Sequence, residues 1–158
     1  MQIEYSLISR GIEQAILPTC VELGVAITAY GVLSRGLISG HFTADRKLAP
    51  GDFRANAPRF QAANRERNLA LEDALRALAD ARGATVAQVA IAWVLRRSEN
   101  IIALVGARTT ERLRESLGSL ELELSDGDVA RLEQAIPPGA ASGERYPAHG
   151  MATLDSER

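Results

Sequence analysis

The sequence predicts an α/β fold with parallel strands. Two short, almost wholly apolar runs, 25–30 (VAITAY) and 100–105 (NIIALV), alternate with segments whose apolar residues recur at helical spacing. The order is strand, helix, strand, long loop, two helices, strand, two helices, the alternation that parallel pairing requires. A chain of 158 residues can bury one core. Three strands nevertheless give crossover helices little sheet to cover, so the pattern reads as part of a larger α/β structure.

The first unit, 1–30, is strand-helix-strand. It opens directly on a strand, with Ile3, Tyr5 and Leu7 alternating against Gln2, Glu4 and Ser6. In GIEQAILPTCVELG, Ile12, Ile16, Cys20 and Leu23 share one helical face, and Gly24 suits a left-handed stop. Pro18 has no N–H to donate, so it belongs in the first turn or marks a kink. VAITAY then reads as a strand covered by helices on both faces.

The stretch 31–64 has no sustained period, and a loop this long is either functional or disordered. Two helices fill 65–97. RERNLALEDALRALADARG lines one face with Leu71, Leu75, Leu78 and Ala79, pairs Glu72 with Arg76, and stops at Gly83. Thr85 and Gln88 form a capping box for TVAQVAIAWVLRR. A strand and two helices occupy 100–138. Gly106 breaks the strand, TTERLRESL follows as a short helix, and Ser125 with Asp128 caps SDGDVARLEQAI, which ends at Pro137-Pro138. The tail, 139–158, reads as irregular.

Composition narrows the function. Apolar residues are 46%, charged residues 24%, and the formal net charge is −2, with no basic stripe for nucleic acid. Apolar runs fall well short of the roughly 20 residues that span a bilayer. The N-terminus lacks the pattern of a secretory signal. A lone Cys20 excludes an internal disulfide and fits a reducing, cytoplasmic setting. Two separated histidines, His41 and His149, give no Cys/His metal cluster.

Two loops could carry chemistry. AYGVLSRGLISG leaves a strand end through Gly31, Gly36 and Gly40. Its spacing partly fits GxxxxG, but Leu37-Ile38 stands where a phosphate loop needs Lys and Ser/Thr. What remains is a strand C-terminus followed by small residues, where α/β sheets place ligands. VGARTTERLRES repeats the arrangement, with Arg108 and Arg112 beside a helix start that suits anions. The bland reading there is a loop with solvated arginines.

Four stretches in order, QIEYSL, ILPTCVELGVAITAYGVLSRGLISG, AIAWVLRR and IIALVGARTTERLRESL, with RYP near the end, resemble the C-terminal half of an aldo-keto reductase. The nearest likeness is the bacterial branch that also resembles potassium-channel β subunits. The resemblance implies the C-terminal half of a (β/α)8 TIM barrel, an incomplete barrel of three parallel strands with flanking helices. It implies NADP as cofactor, with NAD the alternative, and reversible reduction of a small carbonyl substrate.

By the same resemblance, Tyr30 stacks on the nicotinamide and Gln2 bonds its carboxamide. Gly31, Leu33, Arg35 and Gly36 wrap the pyrophosphate, while Gly106, Ala107, Arg108, Arg112 and Glu115 hold the adenosine end and its 2′-phosphate. Gly106 and Ser116 depart from family branches that carry lysine and asparagine there.

The family's catalytic Asp, Tyr, Lys and His belong to the N-terminal half-barrel. Tyr5, Tyr146, Lys47, His41 and His149 stand outside those motifs, so the resemblance implies a chain inactive without that half. The competing class is a non-catalytic nicotinamide-nucleotide-binding or interaction module. Trp93 and Cys20 read as core, His41 as a surface loop residue, and 45–47 as a solvated charge run. Arg76, Arg96 and Arg97 read as covering or ending helices.

Overall fold

The computed structural model describes residues 1–154. The last four residues of the expected irregular tail, 155–158, lie outside the described residues. Strands β1 (Gln2–Glu4), β2 (Ile27–Tyr30) and β3 (Ile101–Ala103) form one parallel sheet in the order β1-β2-β3. Ile3 pairs with Ala29 and Ala29 with Ala103; Gln2 pairs with Thr28 and Thr28 with Ile102. Because side chains alternate faces, these two rows point opposite ways. Ile27, Ala29 and Ile101 are buried, whereas Gln2 and Ile102 are exposed. The sheet is therefore covered on one face and open on the other, which corrects the expectation of helices on both.

The strands are also shorter than the apolar runs. Past Glu4, both sets of the expected alternation are buried, since Glu4 and Ser6 find polar partners inside. Helix α1 (Ile16–Glu22) begins five residues later than the periodicity suggests. Pro18 explains the delay, because a proline fits only within the first turn. Ile12 is still buried, in the turns before the helix, but Leu23 is 68% exposed. Gly24 takes the expected left-handed conformation (φ +65°).

The long connection is not structureless. It holds single 3-10 turns at Ser34–Gly36, Phe53–Asn56 and Pro58–Phe60, and Phe42 meets Phe60 edge to face at 5.2 Å. The single helix expected over 65–83 is two, α2 (Ala62–Ala70) and α3 (Glu72–Arg82). Buried polar anchors lie on both sides of the break. Asn68 donates to the carbonyls of Arg59 and Ser142, and Glu72 accepts from the Gly40 N–H at 2.8 Å.

Helix α4 (Val86–Arg96) carries the Thr85/Gln88 capping box and is buried along most of its length, with Trp93 wholly enclosed. Helix α5 (Thr110–Leu117) is capped by Thr109. Helix α6 (Asp126–Ala135) follows, and the expected irregular tail contains a one-turn helix, α7 (Ala148–Met151). Arg76 pairs with Glu72, Arg96 with Asp126 and Arg97 with Glu133, as helix-covering arginines should.

Asp128 ties three pieces together. Its carboxylate accepts from the Ser125 N–H (2.9 Å), the Ser125 hydroxyl (2.7 Å) and Arg131 (2.6 Å), and it pairs with Arg82 at the end of α3. Burial pushes its pKa up, but the Ser125 hydrogen bonds and the two arginines outweigh that and hold it at about 2. Asp128→Ala is expected to cost about 2 kcal/mol, combining a lost cap with lost charge-assisted bonds to exposed arginines. Since the folded pKa is depressed, this contribution is whole above the ordinary value near 3.8 and fades as pH falls through about 2. Denaturant melts of the full-length protein across that window check it. An unchanged midpoint at neutral pH would dismiss the role.

Candidate functional site

The C-terminal ends of β2 and β3 open into one cleft of about 680 Å³. From β2 and its loop come Tyr30, Gly31, Leu33, Arg35 and Gly36; from the β3 exit and α5 come Gly106, Arg108, Arg112 and Glu115. Two candidates stand apart. Gln2 lies on β1, in register with Thr28, and does not line the cleft. Ala107 lines a separate apolar groove with Ile102 and Leu113.

The β2 loop holds an unusual backbone. Ser34 (φ +47°) and Arg35 (φ +59°) both adopt the left-handed region, which costs a non-glycine residue about 1–3 kcal/mol where it is strained. Their side chains show what holds them: Ser34 Oγ lies 3.0 Å from Ser6 Oγ, and Arg35 donates to Glu4 at 3.1 Å. Gly31 is left-handed too (φ +68°), and a Cβ there would stand 3.1 Å from Glu4 Cγ. The space a side chain needs at this glycine is thus taken by a buried carboxylate, a reason the glycine spacing does not reveal.

Among the described residues, five arginines line the cleft, Arg35, Arg46, Arg54, Arg108 and Arg112, against the carboxylate of Glu115, although Arg35 and Arg54 are paired with Glu4 and Asp52. That excess suits a polyanion, and guanidinium groups bind phosphate in a two-pronged way. Arg54 also donates to the Arg35 carbonyl (3.2 Å) while gripped by Asp52 at 2.6 Å, so it braces the loop from beneath. Arg46 lies in the expected exposed charge run and also lines the cleft.

His41 is an exposed loop residue, as expected, and also lines the cleft. Its Nε2 lies 2.9 Å from both oxygens of Glu115 and touches Arg112, whose Nη1 is 2.9 Å from Glu115 Oε2. The cluster joins the long connection to α5 across the cleft. Burial works to raise the Glu115 pKa, but Arg112 and His41 hold it below the ordinary value.

At the sheet end of the cleft, the Tyr30 hydroxyl lies 3.3 Å from that of Tyr146. Burial, and then the bond with Tyr146, push the Tyr30 pKa up to about 12. Other candidate chemical groups are engaged elsewhere. Tyr5 is buried and donates to Glu13 at 2.6 Å, with its pKa driven well above the phenol range by burial and then by that bond. Lys47 is exposed, and His149 sits on α7. Among the described residues, no group of three or more His, Cys, Asp or Glu is placed to hold a metal ion.

The sequence pattern of the Aldo/keto reductase family matches residues 1–137. The chain belongs to the aldo/keto reductase family. It is similar to probable aldo-keto reductase 1 of Glycine max, 36% identical over 146 residues that make up 92% of this chain and 42% of that protein. It is also similar to the aldo-keto reductase yakc [NADP(+)] of Schizosaccharomyces pombe, 33% identical over 93% of this chain and 44% of that protein. The chain thus spans less than half the length of these relatives.

Among solved structures it resembles the glycerol dehydrogenase of Gluconobacter oxydans (TM-score 0.79, 34% identity, 85% of this chain and 41% of that one). It also resembles an aldo-keto reductase of Klebsiella pneumoniae solved with NADPH (TM-score 0.62, 26% identity, 90% and 42%). The open three-stranded sheet with its flanking helices is accordingly part of a TIM barrel, as the sequence resemblance implied. Among the described residues, no single helix is long and apolar enough to cross a membrane.

Proposed function

We propose that this chain is the cofactor-binding half of an NADP-dependent aldo/keto reductase that interconverts carbonyls and alcohols. The observation that carries this reading is the shared cleft: the left-handed β2 loop, Tyr30 and five arginines face one space. The residues fit the cofactor's chemistry. Gly31, Leu33, Arg35 and Gly36 would hold its pyrophosphate. Gly106, Arg108, Arg112 and Glu115 would hold the adenosine end and 2′-phosphate, with Ala107 contributing only as their backbone link, and His41 adds a polar contact there. Tyr30 would present its ring to the nicotinamide, and Gln2, on the open face, its amide. When bound, the cofactor supplies the hydride. NAD is the alternative cofactor.

In this reading the proton donor and most of the pocket for a small aldehyde or ketone come from an N-terminal half-barrel outside these 158 residues. The open face and edge of the sheet support it, with Ile102 58% and Leu104 49% exposed. We take the setting to be cytoplasmic, from the single cysteine. A non-catalytic nicotinamide-nucleotide-binding or interaction module is the second reading, favoured by the engagement of the Tyr5 hydroxyl with Glu13 and of the Tyr30 hydroxyl with Tyr146, and by a cleft lining without Lys47 or His149.

Arg112 gives the test. A charge-assisted contact is worth about 1.5–3 kcal/mol, or roughly ten- to a hundredfold in affinity. Arg112 already shares its charge with Glu115, so Arg112→Ala in the full-length protein should weaken NADPH about tenfold and NADH much less. Titrations of both nucleotides measure this. Equal losses would move Arg112 out of the phosphate pocket.

A further inference from the structure

We propose that Tyr146, in the C-terminal tail, is a positioning residue that orients the ring of Tyr30 and couples it to the β2 loop. The proposal rests on the reading that Tyr30 faces the nicotinamide. The tail reaches this place by anchors, not by chance contact. The Ser142 N–H donates to Asn68 Oδ1 at 2.7 Å, the Asn68 amide donates back to the Ser142 carbonyl at 2.8 Å, and Arg59 donates to the Gly143 carbonyl at 3.3 Å. Asn68 is wholly buried and Arg59 nearly so. Gly143 lies so close to the Pro58 backbone that a Cβ would stand 3.0 Å from it.

So pinned, the tail delivers Tyr146 to three partners. Its hydroxyl lies 3.3 Å from the Tyr30 hydroxyl and 3.3 Å from Glu4 Oε2, and the Arg35 guanidinium stacks 4.6 Å above its ring. The direction of the hydrogen bonds follows from counting protons. Glu4, salt-bridged to Arg35 at 3.1 Å and with Arg145 3.6 Å away, can only accept. Tyr146 therefore spends its one proton on Glu4 and accepts from Tyr30. The Tyr30 ring is thus tied at its far end, while Arg35, in the loop assigned to the pyrophosphate, lies against the same tail residue. A residue 116 positions from Tyr30 completes the strand-end side of the site.

Tyr146→Phe keeps the ring under Arg35 and removes the hydroxyl that accepts from Tyr30 and donates to Glu4. In the protein at the full length its gene encodes, NADPH is titrated by its nicotinamide fluorescence, and adenosine 2′,5′-bisphosphate by calorimetry. The variant is expected to weaken NADPH about three- to tenfold, the range of one neutral hydrogen bond, and to shift the bound nicotinamide emission towards that of free NADPH. Affinity for adenosine 2′,5′-bisphosphate, which lacks the nicotinamide, should not change. Equal weakening of both ligands would mark a merely structural residue, and unchanged NADPH affinity and emission would remove the role; either overturns the proposal. If the wild-type protein binds neither ligand, the cofactor reading itself falls, and this inference with it.

Discussion

Carbonyl reduction by NADPH is expected to be undetectable in this chain alone and to arise when it is combined with an N-terminal half-barrel of the same family. Positioned proton transfer contributes about 10²–10⁴-fold to such a reaction and needs a group whose pKa lies near the working pH. Tyr5 and Tyr30 are both shifted away from that range, one tied to Glu13 and the other to Tyr146. The physical state should change together with activity. Ile102 and Leu104 at β3, with Leu113, Leu117 and Leu120 beside them, leave an exposed apolar surface next to an open strand edge. The chain alone should therefore self-associate or melt without a sharp transition, and the mixture should become monodisperse as turnover begins. Light scattering and an NADPH consumption assay decide both parts. Turnover that stays with the purified chain after stringent removal of host reductases, or a monodisperse monomer with a cooperative melt, would defeat the half-barrel reading.

Trp93→Ala is expected to cost about 3–5 kcal/mol, a large part of the roughly 5–15 kcal/mol that holds a domain together. Trp93 is wholly buried, its ring centroid 5.5 Å from that of Tyr5. The guanidinium groups of Arg10 and Arg97 lie 5.1 and 5.4 Å from the indole centroid, within cation–π range. Those arginines also pair with Glu133, so the indole sits inside an ion network as well as an apolar core. Truncation would leave a cavity and strip both cations of their aromatic partner. Trp93→Phe, which keeps a ring, should lose clearly less. Denaturant melts of the full-length protein measure both variants, and a loss below about 1 kcal/mol for the alanine variant would show that the helix repacks around the gap.

Local signals were legible because their partners lie within a few residues. Thr85 with Gln88 and Ser125 with Asp128 close their capping boxes as read, and Gly24 and Gly83 end helices in the left-handed region. The strand-end loops holding the candidate residues could also be read, since a strand exit rich in glycine and arginine needs no distant partner to be noticed. The sequence by itself thus determined the alternation of strands and helices, the parallel class, the core position of Trp93 and about half of the cleft lining. Tertiary structure alone decided that Glu4 fills the space beside Gly31, that His41 and Arg46 face the cleft, and that the helix after the long loop is interrupted at Leu71. It also decided that the tail is pinned by Asn68 and brings Tyr146 to Tyr30. Except for Arg46, whose hydrogen bond to the His41 carbonyl is local, each of these rests on a polar or charged side chain whose environment is set by chain about 30 to 116 residues away. Burying such a group is favourable only once that partner arrives, so no local periodicity can announce it.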